Sequence, residues 1–530
     1  MRAAGAWGRA HGAELAYGAG GGVLLAAIFS RIMNYALRRD EHLYVAPASL
    51  LRDFDLYTDF FYNHPPVSAW AFRAAAIATG ETSFIVSSRL FMFCVWLAIA
   101  AAVAFVSWRL TRSRPMTAFL TLSILSNDVF LTVTGMAATN NFLSLPLIYL
   151  GVSAFALGVA QPDPRTFFGA GLALGLAASV KVSAAVVGPV VFACALFSPA
   201  ALDAAQRLRV VAAPVAQGGL LGAAPAQAHV ARAPEQTFAH LLSWHIGPHR
   251  AYWATQPENS SLEAAMGVMS KATLAYSVWT TGANALLIAA GVLLALMVFA
   301  SRRAIALDGR IVAVTLSIGA LAAAAFSPTP GFPQYYAPPV VLAPLLMALL
   351  FARLDADAQA RARPAFIALS VALVVVNAPR LTKDLARLPF PERWTTVAVH
   401  NSGLEIAARM AAAGADGKVA TFAPIYPLEG GLSVYQEMAT GPFVVRTTPF
   451  MSEKLARQYK TTSPDKLYAL LRNDPPGALL LGVDYDLEAP LRAYARDEGY
   501  ERVEDFAIDD RDGVARLYLR RPKDESAPNS

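Results

Sequence analysis

Apolar residues in this chain fall in long unbroken blocks rather than in one-sided helical stripes. The first block runs from about Tyr17 to Leu37 and is closed by Arg38 and Arg39. Others follow at about 84–108, 116–133, 140–160, 167–180, 182–199, 210–226, 276–300, 311–327, 338–352 and 365–378. A hydrocarbon core of about 30 Å needs about 20 apolar helical residues, so the pattern predicts about eleven membrane spans. The block at 210–226 is the least apolar, holding Gln217, Gly218, Gly219 and Gly222. Between the first two blocks, Pro66 to Gly80 predicts a short interfacial helix, with Trp70, Phe72 and Arg73 suited to the headgroup level. Beyond Pro379 the pattern changes. Charges become frequent, and β-type runs (418–422, 478–482, 500–506, 515–519) alternate with amphipathic stretches at about 395–413, 451–472 and 487–498. The fold class expected is an α-helical polytopic membrane domain over 1–380, followed by a small extracytoplasmic α/β domain over 381–530. A basic tail (1–16) and a polar tail (523–530) flank them.

Composition agrees with the blocks. With 55% hydrophobic residues, 15% charged and a mean hydropathy of +0.42, the chain is far from an ordinary soluble protein. The net charge of +6 therefore does not point to nucleic acid. Basic residues gather in one set of short loops (109–114, 161–166, 207–209, 301–310, 353–363), which the positive-inside rule assigns to the cytoplasm. The acidic loop after the first block, the 227–275 segment, the 328–337 turn and everything beyond Pro379 then face outward. The first block carries no cleavage site and is expected to remain as an anchor. Ala- and Arg-rich usage suggests a bacterial inner membrane. Cys94 and Cys194 lie in separate apolar blocks and are expected to be small fillers rather than a disulfide.

Candidate chemistry concentrates between Asn34 and Trp70, where Asp40, Glu41, Asp53, Asp55 and Asp59 interrupt an otherwise charge-poor region. Asp40 and Glu41 follow two arginines, so a solvated charge cluster at the boundary is one account of them. A carboxylate at the mouth of a helix bundle must find a partner, and it can also serve as a general base toward a hydroxyl. Tyr44 lies one helical turn beyond Asp40, on the same face. Asn63-His64-Pro65-Pro66 forms a second anchor; the prolines alone explain a helix start, while His64 could bind an anion or carry a proton. Asp40, His42 and His64 are metal-ligand types without a tight ligand spacing, so no metal or other cofactor is expected. Further polar residues at membrane depth are Asn140-Asn141, Lys181 and Gln334-Tyr335-Tyr336. Lys181 suits either snorkelling to the interface or a phosphate contact. The tyrosine pair suits an aromatic belt or a ligand. The 227–275 segment adds His245, His249, Arg250, Tyr252 and Trp253, fit for a sugar phosphate or for lipid headgroups.

Taken together, these features resemble the GT-C class of integral-membrane glycosyltransferases, and most nearly the protein O-mannosyltransferase and lipid A aminoarabinose transferase group. The resemblance rests on Asp40-Glu41-His42-Leu43-Tyr44, on Tyr62-Asn63-His64-Pro65-Pro66, on Lys181 within GLAASVKVSAAVV and on Tyr335-Tyr336-Ala337-Pro338, over about residues 1–380. It implies transfer of a hexosyl or pentosyl unit from a polyprenyl-phosphate donor, in the lipid bilayer, to a lipid, glycan or protein hydroxyl outside the cytoplasm. Asp40 and Glu41 would then be the catalytic pair, with Tyr44, His64, Lys181, Arg250, Tyr335 and Tyr336 around the donor. The chain departs from the group in two places. His64 stands where aminoarabinose transferases have a lysine before the proline, and Asn140-Asn141 stand where many members have an aspartate. A transporter or flippase is the alternative; it would favour matched broken spans in two halves, which the sequence does not contain.

Overall fold

The computed structural model describes residues 19–256, 264–300 and 308–520. Both tails expected from the sequence lie outside the described residues. The first helix, α1 (Ala19–Asn34), meets α2 (Arg39–Tyr44) and α3 (Ala46–Leu50) at an angle of 82°. The chain then crosses the acidic loop and enters α4 (Pro66–Ala78), with Pro65 and Pro66 fixing the helix start as expected. Trp70 is exposed on α4, but Phe72 is buried against Phe91 and does not reach a headgroup layer.

Among the described residues, five helices are long and apolar enough to cross a membrane, or six if the bent pair at the N-terminus counts as one span. They include α5 (Phe84–Thr111); after α6 (Arg114–Leu125) and the single turn α7 (Val133–Met136), the next is α8 (Asn140–Ala160). The remaining three are Gly282–Ala300, Pro333–Phe351 and Ala356–Thr382. The expected count of about eleven spans is not confirmed: some blocks break, and others fold into shorter helices such as Pro164–Val180 and Gly309–Ala325. The 116–133 block is helical only to Leu125, and 182–199 divides into a 3-10 segment (Val182–Val186) and a helix over Val187–Ala195. Large apolar side chains such as Phe105, Leu296 and Val375 point outward and stay more than 60% exposed. That is the surface of a multi-pass membrane protein, where lipid supplies the missing contacts.

The block with the weakest apolar signal, 210–226, forms one of the tightest packings. It lies in a continuous helical stretch, 204–232, that crosses α9 (Pro164–Val180). A Cβ at Gly171 or Gly175 would strike the backbone around Val215 and Gly219, and one at Gly218 or Gly222 would strike the backbone around Phe168 and Leu172. The glycines let the two backbones touch, the small-residue packing that membrane helices use in place of a hydrophobic drive.

After Ala356–Thr382 and the helix Thr395–Ala412 comes a mixed sheet of β1 (Val419–Ala420), β2 (Ala478–Leu481), β3 (Tyr500–Arg502), β4 (Ile508–Asp510) and β5 (Gly513–Arg520). Their order is β1-β2-β5-β3, with β4 also paired to β5; β1 runs parallel to β2, and β5 is antiparallel to its neighbours. β4 was not expected from the sequence. The amphipathic stretch at about 451–472 forms two helices, Glu453–Gln458 and Leu467–Asn473, with a break around Pro464. Buried side chains of the helices and of the sheet form one continuous core.

Candidate active site

Helix α2 is too short to be stable alone. It is held because each of its sides meets a different part of the molecule. Arg39 pairs with Asp484 at 3.3 Å and Asp512 at 3.4 Å, both at the sheet end. His42 lies 6.3 Å from the ring of Tyr426, and the Ile425 N–H donates to its Nδ1 at 3.5 Å. These contacts turn Arg39 and His42 toward the C-terminal region.

Glu41 faces the membrane helices and is fully buried. Arg89 of α5 donates to its two oxygens from Nε at 2.7 Å and Nη2 at 2.6 Å, while the Ala138 N–H (2.8 Å) and the Arg38 N–H (3.0 Å) donate as well. Arg89 spends its third nitrogen on the carbonyls of Ile32 and Tyr35. Every polar atom of this pair is occupied, which is the condition under which an ion pair can be buried. Glu41, expected beside Asp40 in a catalytic pair, is brought instead to a support that ties α1, α2, α5 and the segment before α8 together.

Asp40 and Tyr44 share the remaining side. Asp40 makes no hydrogen bond among the described residues, and its charged neighbours are Arg38, Arg39 and Arg446. It also acts electrostatically on Lys181, Tyr44 and Tyr335. Lys181 stands where α9 ends in extended backbone, so its side chain leaves the helix line. Its ammonium donates to Asn141 Oδ1 at 2.6 Å and lies 5.1 Å from the centre of the Tyr335 ring. Tyr44 Oη donates to Asn140 Oδ1 at 2.8 Å and is 2.5 Å from His64 Nε2, and Asn140 Nδ2 donates to the Val180 carbonyl at 3.2 Å. The neighbouring asparagines therefore hold Tyr44 and Lys181 on the same side of α8.

Burial and the nearby His245 and Lys181 charges push His64 well below the ordinary histidine range, so it is neutral and acts through hydrogen bonds rather than as a cation. Its ring lies 5.8 Å from that of His245. Asp40, Tyr44, His64, Lys181 and Tyr335 thus come together. Tyr336 and Arg250 do not. Tyr336 turns away into a separate apolar cluster with Ala275 and Ala325, where its hydroxyl has no partner among the described residues. Arg250 is exposed and its charge acts on Lys271. Asp40, His42 and His64 face three different surroundings, and among the described residues no group of three or more His, Cys, Asp or Glu could hold a metal ion. Two participants were missed from the sequence: Arg89, hidden inside an apolar block, and Arg446, distant in the chain.

The model of the dolichyl-phosphate-mannose-protein mannosyltransferase family matches residues 63–225. Among solved structures, the ArnT of Cupriavidus metallidurans bound to undecaprenyl phosphate matches with a TM-score of 0.61 and 16% identity, over 97% of this chain and 100% of that one. Its apo state matches with the same TM-score at 15% identity, over the same shares of each chain. No curated protein matches the chain by sequence. The resemblance to GT-C glycosyltransferases therefore holds in sequence over 63–225, and the ArnT fold extends over nearly the whole chain.

Proposed function

We propose that this chain is a membrane glycosyltransferase that moves a sugar from a polyprenyl-phosphate donor to an acceptor hydroxyl on the outer face of a bacterial inner membrane. The observation that carries the reading is an unpaired carboxylate, Asp40, acting on a buried ammonium, Lys181, whose own hydrogen-bond and ring partners are neutral. Both charges are costly at this depth, and a phosphate ester with an incoming hydroxyl would complete them. The family match and the undecaprenyl phosphate bound to the ArnT of like fold support the same reading.

In the reaction Asp40 takes the proton of the acceptor hydroxyl. The acceptor oxygen bonds to the anomeric carbon, and the bond from that carbon to the phosphate oxygen breaks, leaving its electron pair on the polyprenyl phosphate. Lys181 offsets the charge that develops there, and the Tyr335 hydroxyl adds a donor. Tyr44 and His64 position the residues around Asp40, while Glu41 and Arg89 hold α2 in place. Titrating purified protein with a polyprenyl phosphate, with thermal unfolding as control, tests the reading. Wild type is expected to bind, and Lys181→Ala to bind more weakly at unchanged stability. Equal affinity in the two proteins would remove the phosphate site.

A further inference from the structure

Besides Lys181, Asp40 has a further cationic neighbour with no acid paired to it among the described residues, Arg446. Arg446 stands on the 3-10 segment Val445–Phe450 of the C-terminal region. Its guanidinium carbon lies 4.8 Å from the ring centre of Tyr252, 4.9 Å from Phe443 and 5.6 Å from Trp253. Among the described residues no carboxylate comes within ion-pair distance of it, and its Nε is buried without a hydrogen-bond partner. Two adjoining side chains share that condition: His249 Nδ1 and Trp253 Nε1 are also buried and unpartnered. The His249 and Trp253 rings are 6.3 Å apart, on the helix Pro248–Ala254. An unsatisfied buried polar atom costs about 1–3 kcal/mol, so three on neighbouring side chains call for an oxygen-rich partner.

The cluster is distinct from the phosphate position. Lys181 sits against Asn141 and Tyr335, whereas Arg446 sits against Tyr252, Trp253 and Phe443, and His249 reaches electrostatically toward His64. Burial, together with the nearby His245 and Arg446, lowers His249 well below the ordinary histidine range, so Arg446 is the one cation in the cluster. Three aromatic rings lie around the guanidinium, and its Nε edge makes no hydrogen bond among the described residues. A planar carboxylate fits such an edge through two parallel hydrogen bonds, and a sugar ring stacks naturally on the adjoining aromatic faces.

Building on the glycosyl-transfer reading, we propose that Arg446, with His249, Trp253 and Tyr252, forms a recognition subsite for a carboxylate-bearing sugar. That sugar is carried either on the polyprenyl donor or on an acceptor glycan.

The test uses the purified full-length protein and its Arg446→Gln and Arg446→Lys variants, titrated with glucuronate, glucose, inorganic phosphate and a polyprenyl phosphate. Wild type is expected to bind glucuronate at least about tenfold more tightly than glucose, a difference of about 1.4 kcal/mol. Arg446→Gln should abolish that preference, Arg446→Lys should keep only part of it, and polyprenyl-phosphate affinity should stay the same in all three. Free glucuronate binding to protein already saturated with polyprenyl-phospho-glucuronate identifies the acceptor as the source; competition between the two identifies the donor. The proposal is overturned if wild type shows no preference for glucuronate, if Arg446→Gln loses inorganic phosphate and glucuronate in parallel, or if it loses the polyprenyl phosphate. Failure of wild type to bind a polyprenyl phosphate would instead overturn the glycosyl-transfer reading itself.

Discussion

Two neighbouring carboxylates on one short helix meet opposite environments. Around Glu41 everything is closed: four donor groups converge on it, and its partner Arg89 is 1% exposed. Around Asp40 the carboxylate has no hydrogen bond among the described residues; of the cations nearby, Arg39 is taken by Asp484 and Asp512, while Lys181 and Arg446 are held by neutral groups or aromatic rings. A satisfied buried pair has nothing left to offer a substrate, and removing one partner strands a charge. An unsatisfied group keeps its proton affinity and its free valences for a ligand. The contrast separates a satisfied carboxylate from an unsatisfied one within two consecutive residues.

The support side should break hardest. Arg89→Met leaves Glu41 buried and unpaired, so it should lose about 3–5 kcal/mol of stability, read as a lower unfolding temperature in detergent. Little change in unfolding would show that Glu41 finds water or another donor.

On the other side, Asp40→Asn should fold normally yet turn over at least about a hundredfold more slowly, the scale of a lost general base. Near wild-type transfer from a cognate polyprenyl-phosphate sugar would take Asp40 out of the role.

Lys181→Ala is expected to weaken polyprenyl-phosphate binding about tenfold, the worth of a hydrogen bond to a charged group. If stability falls while affinity holds, the ammonium is an interface anchor.

The tyrosine pair gives a finer comparison. Tyr335→Phe should lower turnover roughly fivefold, a single hydrogen bond's worth. Tyr336→Phe should leave turnover alone and cost no stability, because that hydroxyl is already unpartnered in an apolar cluster. Equal losses in the two variants would mean that both hydroxyls reach the donor.

The smallest effect concerns how the C-terminal region is latched to α5. Glu429 accepts the Ile85 N–H at 2.6 Å at the start of α5 and pairs with His400 at 2.7 Å. The hydrogen bond to Glu429 raises the His400 pKa above 6.5. Its stabilisation is therefore full below about pH 6.5 and fades as the pH rises through the raised value. Comparing the unfolding temperatures of wild type and His400→Ala across pH 5 to 9 should show a gap that closes toward the alkaline end. A gap independent of pH would assign the contact to packing alone.

Some of this was determined by the sequence alone, because it depends on local or additive properties. Apolar blocks identify membrane helices through length and hydropathy, and Pro65-Pro66 starts a helix wherever the chain goes. The four-residue spacing puts Asp40 and Tyr44 on one face because a helix repeats every 3.6 residues. The changed texture after Pro379 marked most of the strands for the same kind of reason. Local pattern could not supply β4, paired only through its hairpin with β5, or the break at Pro464. Nor could it rank the glycine-rich 210–226 block, whose worth lies in how closely it lets α9 approach. The site divides along the same line. Asp40, Lys181 and Tyr335 were legible as polar residues at costly positions, but nothing in the string separates Asp40 from Glu41, or Tyr335 from Tyr336. That choice is made by partners 48 residues away in the case of Glu41 and by a different apolar cluster in the case of Tyr336. Arg446 looks like any surface arginine until folding brings Tyr252, Trp253 and Phe443 around it. Partner choice is a long-range property, so only the tertiary structure decided which charges are spent on holding the fold and which remain for chemistry.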